Sequence, residues 1–202
     1  MGPGDVRNAH VLAISSLALL VVVAGAVGAV SIFGSGSDEQ PTVTPTSGGV
    51  YVFFLREDAE PYDKSAYVPS ERPAGDDTSA QGRLRSALAE LVGGPTPKER
   101  SGGLTSVFSE STAGLVNKVE VVDGHAVVDF RDFTQQIPQV STSTGGIAFM
   151  FQLNLTVLQF DEIQQVDYLR EGDRSRFWQF LQAECQTITR EAWDKAEITV
   201  EP

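Results

Sequence analysis

Hydrophobic and polar positions divide this chain into three unlike stretches. Residues Val11–Phe33 run for 23 positions without a charged side chain. At about 1.5 Å per helical residue that run is long enough to cross the roughly 30 Å apolar core of a bilayer. It predicts a transmembrane signal anchor after a short cytoplasmic tail, residues 1–10. The alternative is a cleaved signal peptide, with Val11–Val23 as its apolar core and Ala24-Gly25-Ala26 as the small-residue site. Arg7 and the amino terminus precede the run, offset by Asp5, while only the acidic Asp38 and Glu39 follow it. Since positive residues set orientation, the N-terminus inside is favoured. Residues 34–49 hold Gly, Ser, Pro and Thr with one large apolar residue, Val43, and read as a flexible tether. Patterned sequence begins at Val50 and continues through residues 50–202.

Within that third stretch the pattern alternates between strand and helix periods. Val50–Leu55 is a continuous apolar, β-branched and aromatic run, as in a strand covered on both faces. Ala66–Pro69 is a second extended piece, which Pro69 places at a sheet edge or strand end. Leu84, Leu88, Leu91 and Val92 recur at helical spacing after cap residues in Asp76–Ala80, and Gly93-Gly94-Pro95 ends that helix. Val116–Val122 and His125–Phe130 flank Asp123-Gly124, a strong hairpin signal. Gly146–Phe160 carries apolar residues around most of a cylinder and predicts a central buried helix. Val166–Leu169 predicts a last strand. Phe177, Trp178, Phe180, Leu181 and Ile188 predict one C-terminal helix starting near Asp173–Ser175. The fold class that follows is α+β: a single domain of mixed sheet with helices packed on it.

Charge and composition narrow the function classes. A formal net charge of −12, without a Lys/Arg cluster, argues against a nucleic-acid partner. One cysteine, Cys185, excludes an internal disulfide, and it reads as a small buried hydrophobe. Of the two histidines, His10 precedes the apolar run and His125 reads as a solvated turn residue. That leaves too few groups for a Ser-His-Asp or Cys-His site or for a zinc ligand set, so no catalytic, cofactor-binding or metal-binding residue is assigned. Asp129 with Asp132 would be the carboxylates of a glycan hydrolase, against a plainer reading of Asp129 as a solvated strand-end group. Thr142-Ser143-Thr144-Gly145-Gly146 opens the central helix and could hold an anion, but matches no phosphate-loop spacing and reads as a cap. Asn154-Leu155-Thr156 fits a glycosylation acceptor but falls inside the predicted buried helix. Trp178, Trp193 and Asp129 form the candidate ligand-binding set of the alternative reading, a cell-wall glycan or small-solute binding domain, with core anchoring as the plainer role for both tryptophans.

Taken in order, several segments resemble the GerMN domain family of bacterial envelope proteins. They are Val68-Pro69-Ser70-Glu71-Arg72, Ala87–Pro95, Val119–Phe130, Gln152–Phe160, Val166–Gly172 and Ile188–Glu191. Asn154 and Val157 stand where the family commonly has an aromatic residue and a second Thr, and Asp173–Gln186 is more aromatic than that pattern. The resemblance implies a small α+β envelope domain without catalysis, related to sporulation or germination, that serves in protein interaction or assembly. It implies an envelope protein as partner, with the membrane contacted through the N-terminal helix. Localisation would be the cell membrane, with the C-terminal domain extracytoplasmic, or secreted if the signal is cleaved. Self-association through exposed strand edges stays open.

Overall fold

The computed structural model describes residues 49–195. The expected tail, membrane run and most of the tether, residues 1–48, lie outside the described residues. Among the described residues no helix is long and apolar enough to cross a membrane.

The chain folds into two sheets bridged by helices. β1 (Gly49–Arg56) is central in the first sheet, with β2 (Tyr67–Pro73) antiparallel along its whole length and β3 (Leu104–Thr105) on its other side. Val50, Tyr51, Val52, Phe54 and Leu55 are all buried, as the continuous apolar run predicts. β2 lies at the edge, where Pro69 and Pro73 leave no N–H for a further strand.

Between β2 and β3 runs α1 (Ala80–Gly93), capped by the Ser79 side chain, which accepts from Gly82 N. Leu84, Leu88, Leu91 and Val92 are fully buried along its inner face. Gly94 ends it at φ +74°, and a Cβ there would meet Phe108 O at 2.6 Å, so backbone and close approach both demand glycine. A one-turn helix, α2 (Pro97–Ser101), follows behind a capping box in which Thr96 and Glu99 satisfy each other's backbone.

The second sheet is the mixed one. β4 (Val116–Val122) and β5 (His125–Phe130) form the expected hairpin, with Asp123 and Gly124 both at positive φ. β6 (Gln165–Arg170) runs parallel to β5, and a two-residue β7 (Ile188–Thr189) closes the far edge. The connection from β5 to β6 passes through α3 (Ser143–Val157), the expected central helix, three residues earlier than its apolar pattern alone indicates. Thr142 caps it from outside, so its first turn is polar and carries no helical signal. Residues 151 to 157 are buried without interruption. Asn154 is among them, accepts a 2.8 Å hydrogen bond from the Tyr168 hydroxyl, and is closed to a glycan by its burial.

Three expectations need correction. The single mixed sheet is two sheets, one antiparallel and one mixed. The single C-terminal helix is a seven-residue α4 (Arg174–Phe180), then a turn with Gln182 at φ +56°, β7 and α5 (Arg190–Lys195). Ile188 therefore pairs with Val166 in the sheet instead of lining a helix. Cys185, expected in the core, lies exposed in the turn region between α4 and β7.

Candidate functional site

Asp129, Trp178 and Trp193 do not converge. Asp129 is buried, not solvated. One carboxylate oxygen accepts from Asn117 Nδ2 at 2.7 Å and the other from Gly172 N at 2.8 Å, tying β5 to β4 and to the turn after β6. Asp132 is near the surface, and hydrogen bonds from the Thr134 backbone and side chain hold its carboxyl below the ordinary range. Trp178 is 2% exposed and meets Phe177 edge-on, so neither face of its ring is open to a ligand. Trp193 is half-buried on α5, edge-on to Phe151 with Lys64 above it at 5.1 Å.

His125 is held more firmly than a turn residue would be. Its Nε2 lies 3.0 Å from Asp167 Oδ2, while Asp167 Oδ1 accepts from Thr187 Oγ1 at 2.8 Å and meets Arg174 Nη2 at 3.1 Å. The cluster clasps β5, β6, α4 and the segment before β7. Arg174 and Thr187 fix the C-terminal segment to the sheet through Asp167, while His125 ties β5 to β6. Among the described residues no three His, Cys, Asp or Glu gather as a metal site would require.

A concavity with polar residues in its walls lies along the first turns of α3. It is a groove of about 430 Å³. One wall is the α3 face carrying Thr144, Gly145, Ala148 and Gln152, residues at helical spacing. The opposite wall is Thr105, Ser106 and Val107 of β3 and its continuation, with Leu55, Ala59 and Pro61 beneath. No Asp, Glu, Lys, Arg or His lines it.

Two features of the sequence create this wall. Gly145 brings the preceding turn against the helix, since a Cβ would sit 2.0 Å from Gln139 O. Thr142 Oγ1 accepts from Gly145 N at 3.1 Å and Thr142 O accepts from Gly146 N, so the cap occupies those two N–H groups. Ser143 and Thr144, the first two helical residues, have no intrahelical acceptor to reach. Deeper along the groove, Gln152 is fully buried. Its Oε1 accepts from the Ser106 hydroxyl, and its Nε2 has no hydrogen-bond partner. Such an orphaned buried donor is costly, about 1–3 kcal/mol, and calls for a reason. The Thr142–Gly146 segment is visible in the sequence as a cap. Gln152 and Ser106 are not, since their meeting depends on how β3 lands beside α3.

The family model described as "Germane: Sporulation and spore germination" matches residues 51–175. Among solved structures, the tandem GerMN domains of the sporulation protein GerM from Bacillus subtilis align at 19% identity with a TM-score of 0.47. That alignment covers 76% of this chain and 49% of the other, so the chain spans about half the length of the tandem pair. The first GerMN domain of the same protein aligns at 21% identity over 62% of this chain and 84% of its own, with a TM-score of 0.41. A putative lipoprotein from Clostridium perfringens aligns at 11% identity over 74% and 93%, with a TM-score of 0.41. No curated protein sequence matches at a significant level. With its family model covering most of both sheets and the helices between them, the chain belongs to the Germane family of sporulation and spore germination proteins.

Proposed function

We propose that this protein is a non-catalytic, membrane-tethered domain that works outside the cytoplasm as a protein-interaction or assembly module of the bacterial envelope. The observation that carries this reading is the family membership over residues 51–175. Two features support it. The uncharged run Val11–Phe33 and the polar stretch after it have the lengths of a spanning helix and a spacer. The candidate carboxylates Asp129 and Asp132 are engaged by backbone and amide donors, as structural groups are.

The test is a crosslinking pull-down from membranes of the bacterium that makes the protein, with the full chain as bait. A reproducible envelope protein, lost when residues 50–202 are deleted and the N-terminal run is kept, is the expected result. Recovery of wall glycan in place of any protein would overturn the reading.

A further inference from the structure

The groove beside α3 presents donors and no charge, and this defines what it can hold. Its α3 end is lined by Thr144, beside the first N–H groups of the helix, those of Ser143 and Thr144, where the helix dipole places partial positive charge. Its other end offers Gln152 Nε2, fully buried and unpartnered. Eight residues of helix separate Thr144 from Gln152, a rise of about 12 Å, which three or four residues of extended peptide span.

The wall opposite is itself a strand edge. Glu57 N donates to Gly103 O at 2.8 Å, and Leu55 pairs with Thr105. By the two-residue alternation of an antiparallel ladder, Thr105 faces β1, and the backbone N–H and C=O of Ser106 turn away from it, toward the groove side. Among the described residues no strand pairs with that outer edge. Further up β1 the same side is closed by a side chain: the Gln159 amide donates to Tyr51 O and accepts from Tyr51 N, at 2.7 and 2.8 Å. The edge is thus sealed beside Tyr51 and left free beside Ser106. Leu55, Ala59, Pro61 and Ala148 give the groove a shallow apolar floor suited to small aliphatic side chains.

We propose that this groove binds an extended peptide of a partner protein: it pairs with the Ser106 edge, lays small aliphatic side chains on the floor, and ends in a carboxylate at the start of α3. Gln152 Nε2 then donates to a peptide carbonyl, and the Ser143 and Thr144 N–H groups receive the carboxylate. The chemistry asks for an acceptor-rich ligand, because unmatched donors stand at both ends of the groove and no cation or anion lines it. The inference rests on the interaction-module reading and names its site and the kind of partner.

The test uses the full chain, isotope-labelled in detergent solution, titrated with acetyl-Ala-Val-Ala-Val bearing a free carboxylate and, separately, with its C-terminal amide. Saturable shifts at the Ser106, Ser143 and Thr144 amides and the Gln152 side-chain amide are expected. The free acid should bind roughly tenfold more tightly than the amide. Gln152→Leu should weaken the free acid about tenfold by removing the buried donor. Should that variant not fold, Ser143→Pro decides: it deletes one free N–H where proline suits the helix, and Thr142, at ψ 158°, already has the conformation a residue before proline prefers.

No shift at the groove at millimolar peptide, or equal binding of acid and amide, overturns the proposal. In the pull-down, a partner retained in full by Ser143→Pro and Gln152→Leu overturns the groove and leaves the module reading standing. Peptide binding without any protein captured does the reverse.

Discussion

Glu99 shows how single residues of this domain balance burial against hydrogen bonding. Burial works upward on its carboxyl, but hydrogen bonds from Arg72, the Thr96 backbone and hydroxyl, and Ser70 outweigh it and hold the pKa at about 2, against an ordinary 4.5. The native state is thus harder to protonate at this site than the unfolded chain. The stabilisation is complete above pH 4.5 and is lost as pH falls toward 2. Allowing for solvent screening, it amounts to about 1–2 kcal/mol. Glu99→Gln should lower stability at neutral pH by about that amount and flatten the fall between those two pH values, as urea titrations at several pH values would read. Trp178 illustrates the opposite balance. Its indole N–H is buried without a partner, so only its packing stabilises. Trp178→Ala should cost about 3–5 kcal/mol. Trp178→Phe should cost much less, because it removes the orphaned donor along with part of the ring. Denaturant midpoints of the two variants measure the difference.

At the scale of elements, legibility followed length and period. The hairpin at Asp123-Gly124, α1 and the apolar body of α3 each repeat a pattern over six or more residues, and each stands where its pattern puts it. β3 and β7 have two residues apiece, too few to show any period. The aromatic run after Asp173 reads as one helix because Phe177, Trp178, Phe180 and Leu181 are all apolar, while the positive φ of Gln182 that ends it has no glycine to announce it. The groove was half legible. Thr142–Gly146 announces a helix start, but Ser106 lies 46 residues from Gln152, and no local pattern states that the two meet. Gly145 is the element-scale determinant of that site. Gly145→Ala would drive a methyl into Gln139 O, so the turn and the helix must separate. A loss of about 1–3 kcal/mol is expected, and amide exchange should quicken first in the opening turn of α3.

For the molecule as a whole, the decisive question is what residues 176–195 contribute, since the family match stops at residue 175. They are not an appendage. Phe177 is fully buried and stacks on Phe130 and Tyr168, with Phe133 and Phe149 around it, so it sits among side chains from β5, β6 and α3. Arg190 donates to Phe160 O and Ile163 O, which fastens the start of α5 to the loop after α3. Trp193 closes a separate cluster over Phe151 and Tyr67. A chain ended after Gly172 loses Phe177 and Trp178 together. At about 3–5 kcal/mol for each aromatic removed from a core, the loss rivals the whole stability of a domain this size, about 5–15 kcal/mol. A chain ended after Glu184 keeps both aromatics and loses the Thr187 hydrogen bonds, the β7 pairing and the Arg190 and Trp193 contacts. The first truncation should therefore show no cooperative thermal transition by circular dichroism. The second should melt cooperatively but earlier than the full chain. If the first melted like the full chain, the C-terminal aromatics would be a covering and not part of the core.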